Sequence, residues 1–128
     1  MYEEIGPVGI RSIFDALYDL DYQHVKVINV WKAKAEDEGC RSICNFIVKV
    51  KTINKLDLLE NQISPLGCQF LSRILINNSQ LLKLKLDHNL FGDEGLKNLS
   101  TSLAINNTLE KLSMNYCGIT QEGAKCLQ

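Results

Sequence analysis

The stretch Leu81-Leu-Lys-Leu-Lys-Leu-Asp-His-Asn-Leu-Phe-Gly-Asp-Glu-Gly95 decides how this chain folds. Leu84 and Leu86 alternate with Lys83, Lys85 and Asp87. Period-two alternation predicts a short strand, its leucines turned inward and its charges outward. Asn89 follows, where a side-chain amide can satisfy backbone groups as the chain bends off the strand. Gly92 then marks a helix start, with Glu94 facing the positive helix end.

The stretch repeats. Leu81, Leu84, Leu86, Asn89, Phe91 and Gly95 recur 28 residues later as Leu109, Leu112, Met114, Cys117, Ile119 and Gly123. They recur 28 residues earlier as Ile53, Leu56, Leu58, Asn61, Ile63 and Gly67, and one step further back as Val25, Ile28, Val30, Ala33, Ala35 and Gly39. The helix positions keep the same step: Ile43, Leu71, Leu99 and Leu127, then Ile47, Leu75 and Leu103. At the front, Ile5-Gly-Pro-Val-Gly9 mirrors Ile63-Ser-Pro-Leu-Gly67, but Gly9 to Gly39 is 30 residues. A fixed period of this length signals stacked supersecondary units. Gly6, Ser64, Gly92 and Thr120 are the expected helix caps, with Pro7 and Pro65 in the first turn. Asn78 and Asn107 fall near helix ends, where asparagine can take a left-handed conformation. A glycine in every first helical turn costs about 1 kcal/mol against alanine. Its recurrence predicts close packing against the neighbouring unit.

Composition narrows the function. Fourteen Lys plus Arg balance fifteen Asp plus Glu, for a net charge of -1. A nucleic-acid binder would be clearly basic. No stretch is long and apolar enough for a bilayer, and no secretory leader is read at the amino end. Five cysteines fall on repeat positions instead of forming a disulfide framework, which predicts a reduced, intracellular and cytoplasmic chain. The sequons at Asn77, Asn98 and Asn106 are then chance matches.

The pattern L-x-x-L-x-L-x-x-N/C-x-(L/I/F), followed by a glycine-containing turn and a long helix, resembles the ribonuclease-inhibitor-type leucine-rich repeat. The likeness covers nearly the whole chain. It implies an α/β leucine-rich-repeat solenoid, a horseshoe with parallel strands on the concave face and helices on the convex face. It also implies a role in binding proteins, without cofactors or metals. Members of the family include ribonuclease inhibitors and Ran GTPase-activating proteins, so regulation of a small GTPase is the alternative function. Ala33 and Ala35 depart from the pattern and predict a looser or differently packed turn.

The whole of residues 1–128 reads as a single domain of four strand-bearing repeats plus a leading helix. Without polar capping repeats it is expected to be a segment of a longer array. Its outer strands, near Val25 to Val30 and Leu109 to Met114, would be open edges suited to end-to-end self-association.

On such an array the non-core strand residues form four columns. These are Val27, Lys55, Lys83, Lys111; Asn29, Asp57, Lys85, Ser113; Trp31, Leu59, Asp87, Asn115; and Lys32, Glu60, His88, Tyr116. The candidate protein-binding residues are Trp31, Lys55, Leu59, Lys83, Lys85, Asp87, His88, Lys111 and Tyr116. Exposed tryptophan is a common interface anchor, but Trp31 could instead pack on the N-terminal segment. The lysines suggest an acidic partner patch. Against this stands a solvated face on which Asp57, Glu60 and Asp87 interleave with them, the reading favoured for a near-neutral chain. Catalysis finds no support: no nucleophile, phosphate loop or carboxylate pair stands out. Cys40, Cys44 and Cys68 are read as buried packing and not as metal ligands.

Overall fold

The computed structural model describes residues 5–77 and 80–127. Asn78 lies outside them. Helices and strands alternate: α1 (Gly6–Asp19), β1 (Val27–Asn29), α2 (Glu36–Lys49), β2 (Lys55–Asp57), α3 (Pro65–Asn77), β3 (Lys83–Lys85), α4 (Gly92–Ile105), β4 (Lys111–Ser113) and α5 (Gln121–Ala124), with a 3-10 turn at Lys125–Leu127. The four strands pair in parallel in chain order, β1-β2-β3-β4. Register keeps the 28-residue step: Ile28, Leu56, Leu84 and Leu112 stand side by side. Backbone bonding runs past the short strands, with Lys32 N–H donating to Leu59, Glu60 N–H to Asp87 and His88 N–H to Asn115 carbonyls.

One core lies between sheet and helices. Leu56 and Leu84 of the strands, Leu58 and Leu86 just after them, and Ile43, Ile47, Leu71 and Leu99 from the helices are all fully buried. Phe14 of α1 meets Phe46 of α2 edge to face at 5.7 Å, which joins the leading helix to this core. Leu127 breaks the helical step and is exposed. After four residues α5 tightens into the 3-10 turn, and Leu127 leaves the register that buries Ile43, Leu71 and Leu99.

The asparagine column is buried, and it works across repeats. Asn61 Oδ1 accepts from Ala33 and Ala35 N–H, each at 3.2 Å, while its Nδ2 donates to Val30 O at 2.6 Å. Asn89 does the same one step on, accepting from Asn61 N–H at 2.8 Å and Ile63 N–H at 3.1 Å and donating to Leu58 O at 2.8 Å. Cys117 keeps only the donor half, Sγ to Leu86 O at 3.1 Å. Phe91 N–H turns instead to the Asn89 carbonyl at 2.8 Å. Ala33 itself lacks such an amide, and its N–H is served by Asn61.

Ser64 caps α3 as expected, its hydroxyl accepting from Leu66 N–H at 3.3 Å, but the other helix starts differ from simple side-chain caps. Gly6 and Gly92 open their helices with φ of +77° and +63°. Thr120 makes no capping bond to its own helix. Its hydroxyl and amide both bind Asp93 of the preceding repeat, as Ser64 binds Asp37. The previous repeat holds Pro7, Asp37, Pro65 or Asp93 at the equivalent position. After an aspartate the next helix starts on that carboxylate. After a proline it starts with a left-handed residue, Glu36 at φ +56° or Gly92. Asn107 is not left-handed either. Extended Asn106 ends α4 instead, and its side chain reaches back to Leu75 O at 2.7 Å while accepting from Leu109 N–H at 2.7 Å.

First-turn glycines are crowded, partly by neighbours and partly by their own repeat. A Cβ on Gly123 would meet Asp93, and one on Gly39 would meet Ile10 of α1. On Gly9 and Gly95 it would meet Ile5 and Phe91, four residues earlier in the same unit. Ala33 and Ala35 are both buried, and Gly39 packs close to Ile10 of α1, so the departing repeat is differently packed and not loose.

The Thr120 hydroxyl, then its amide, hold the Asp93 carboxyl below its usual 3.8. A depressed native value means the tie is fully present above 3.8 and fades as pH falls through the lowered value. The Thr120 amide proton resonance should therefore titrate with Asp93 on acidification. Asp93→Asn should leave that resonance flat. A wild-type resonance that also stays flat would mean the bond is not made in solution.

Candidate functional site

Four side-chain columns cover the outer face of the sheet. Register places Lys55, Lys83 and Lys111 side by side, and Asp57, Lys85 and Ser113 likewise. Lys83 and Lys111 are exposed and Lys55 is half-buried. None of the three makes an ion pair among the described residues.

The carboxylates expected to offset them are committed elsewhere. Asp57 is buried, 4.0 Å from Lys85 Nζ, and accepts from Leu59 N–H at 3.3 Å. Asp87 accepts from the Ser113 hydroxyl and from Asn115 N–H, both at 2.7 Å. Asp57, Lys85 and Asp87 are thus tied into the sheet itself. The expected interleaved, solvated face is corrected for Asp57 and Asp87: Asp57 is buried, accepts from its own repeat and ion-pairs with Lys85 of the next strand, and Asp87 accepts hydrogen bonds from the next repeat.

At the carboxyl ends of the strands the backbone is unusual. Lys32, Glu60, His88 and Tyr116, one per repeat, take left-handed φ of +51°, +53°, +61° and +58°. For residues with a Cβ this conformation costs about 1–2 kcal/mol each. It is held because their repeats are locked by the strand ladder on one side and the buried asparagine column on the other. The turn swings His88 and Tyr116 together as an exposed stack, ring centroids 4.8 Å apart and 22° from parallel. Beside them opens a depression of about 590 Å³ lined by Glu60, Gln62, Ile63 and Leu90 among others. Leu90 is 79% exposed. Trp31 is 55% exposed, so the described N-terminal segment does not cover it; Leu59 beside it is half-buried.

The nine candidate positions therefore separate into groups. His88 and Tyr116 come together, Lys55, Lys83 and Lys111 form a ladder, Trp31 and Leu59 stand at the β1–β2 end, and Lys85 and Asp87 serve the fold. Glu60, Gln62 and Leu90 were not among them. Leu90 had a signal: its column reads Lys34, Gln62, Leu90, Gly118, and one large apolar residue in a polar column stands out.

Cys40, Cys44, Cys68 and Cys117 are buried free thiols, and Cys126 is an exposed one. Burial pushes the Cys68 thiol up to about 12, which keeps it protonated and unreactive. No group of three or more metal-binding side chains occurs among the described residues. No helix among them is long and apolar enough to cross a membrane.

Residues 77–100 and 106–127 match a family model described as Leucine Rich repeat. No curated protein matches the chain in sequence. Among solved structures, a Caenorhabditis elegans tropomodulin C-terminal domain is similar with a TM-score of 0.67 at 17% identity, over 92% of this chain and 88% of that one. A leiomodin-1 structure titled Actin-Binding Site 2 is similar with a TM-score of 0.74 at 18% identity, over 98% of this chain and 75% of that one. At these identities the likeness concerns the fold. The two matched segments and the parallel α/β architecture together support a leucine-rich repeat family for this chain.

Proposed function

We propose that the chain is a protein-binding module of ribonuclease-inhibitor-type repeats, curved so that the strand face is concave and receives a partner. The role is one of binding, without catalysis, in a reducing compartment such as the cytoplasm. The observation that carries this reading is the exposed His88–Tyr116 stack with Leu90, beside an open depression. Large apolar and aromatic side chains on a rigid frame are what interfaces use as anchors. The leucine-rich repeat matches support the same reading.

The leiomodin-1 neighbour is named for an actin-binding site, so actin is the first partner to try, by a direct binding titration. Whatever partner is found, Tyr116→Ala is expected to weaken binding about tenfold or more, the range of an interface anchor. Trp31→Ala measures the other end of the face. Unchanged affinity in both variants, with folding intact by circular dichroism, would remove the strand face as the binding surface.

A further inference from the structure

We infer that the strand face selects an acidic segment of its protein partner, whose carboxylates pair with the ladder Lys55–Lys83–Lys111 while an apolar side chain enters the depression beside His88 and Tyr116. The inference rests on the strand-face reading above and adds the chemistry of the partner.

Three lysines in register on neighbouring strands sit about 4.8 Å apart at the backbone, and like charges in such positions repel. A carboxylate within reach on the same face would ease this repulsion by pairing with them. Of the carboxylates on the same face, Asp57 is buried against Lys85 and Asp87 holds Ser113 and Asn115, while Glu60 is exposed beside the depression, further along its repeat than Lys55, and makes no ion pair with the ladder. Glu110 precedes Lys111 in the chain yet makes no ion pair with the ladder. A chain of net charge -1 thus gathers uncompensated positive charge on the face that also carries its exposed aromatics. Charge complementarity then favours a carboxylate-bearing occupant. The apolar depression at one end favours a peptide over a bare polyanion, which has nothing to place there.

The test is peptide selection from a random phage-displayed library on the immobilised full chain, repeated on two variants. In one, Lys83 and Lys111 are both replaced by glutamate. In the other, His88→Gly and Tyr116→Ala remove the stack; glycine takes the left-handed backbone at 88 without strain. Wild type should enrich peptides with an excess of Asp and Glu beside an aromatic or aliphatic residue. The lysine-reversal variant should lose at least about tenfold in affinity for them and enrich basic peptides instead. Peptides without acidic excess that are lost only on the stack variant would overturn the acidic-partner inference and leave the strand-face reading standing. Peptides indifferent to both variants would overturn both. A single-stranded oligonucleotide that displaces the peptides at physiological salt would show an unselective polyanion site and also overturn the inference.

Discussion

Replacing Asn89 by alanine is expected to cost about 4 kcal/mol of folding stability, because it strands several buried polar groups at once. Asn89 Oδ1 takes two amides of the preceding repeat, Asn61 and Ile63, and Nδ2 serves Leu58 O at 2.8 Å and Leu86 O at 3.0 Å. The residue is fully buried, so water cannot readily replace the lost partners. The loss falls at the seam between two repeats, where the stacking itself is at stake. Urea unfolding should show a lower midpoint with an unchanged slope. Asn89→Cys is the informative companion, since a thiol can still donate to Leu58 O as Cys117 does to Leu86 O. It should cost about half as much, the acceptor half alone being lost. Equal losses for the two variants would show that the donor contributes nothing.

Gly95→Ala is expected to destabilise by about 2–3 kcal/mol, an overpacking effect. At an open site in a helix the same change would stabilise by up to about 1 kcal/mol. The sign reverses because the new Cβ would lie 2.5 Å from both Cβ and Cδ1 of Phe91. Phe91 is itself buried and cannot swing away without opening the core. Phe91→Gly, which removes both contacting atoms, combined with Gly95→Ala should therefore be much less destabilising than the sum of the single changes, as thermal melts in a double-mutant cycle would reveal. Strict additivity would mean that the two side chains do not collide.

Much of this architecture was legible in the sequence. The 28-residue step gave strand order, register and core, because one spacing fixes every lateral neighbour in a stack of equal units. What the step could not give is anything decided between repeats by side-chain detail. Asp57 and Asp87 look like solvated charges in a strand pattern; their ties to Lys85 and to Ser113 and Asn115 of the next repeat appear only in the stacked fold. Of the four left-handed residues at the strand ends, Lys32, Glu60 and Tyr116 carry no local signal, since only His88 is of a type enriched in that conformation. The His88–Tyr116 pairing is a consequence of it. The alternation Pro7, Asp37, Pro65, Asp93 was in plain view, but its meaning appears only when each aspartate is seen on the next helix start.

That alternation sets the size of the step by which such a protein can change length. Excising residues 64–91 would preserve the 28-residue spacing but bring Asp37 up to Gly92, which has no hydroxyl to offer and a backbone bent for the other kind of junction. Excising 56 residues keeps every junction type intact. Growth, shortening and engineered grafting of this array should therefore proceed in pairs of repeats, the pair and not the single leucine-rich unit being the interchangeable module.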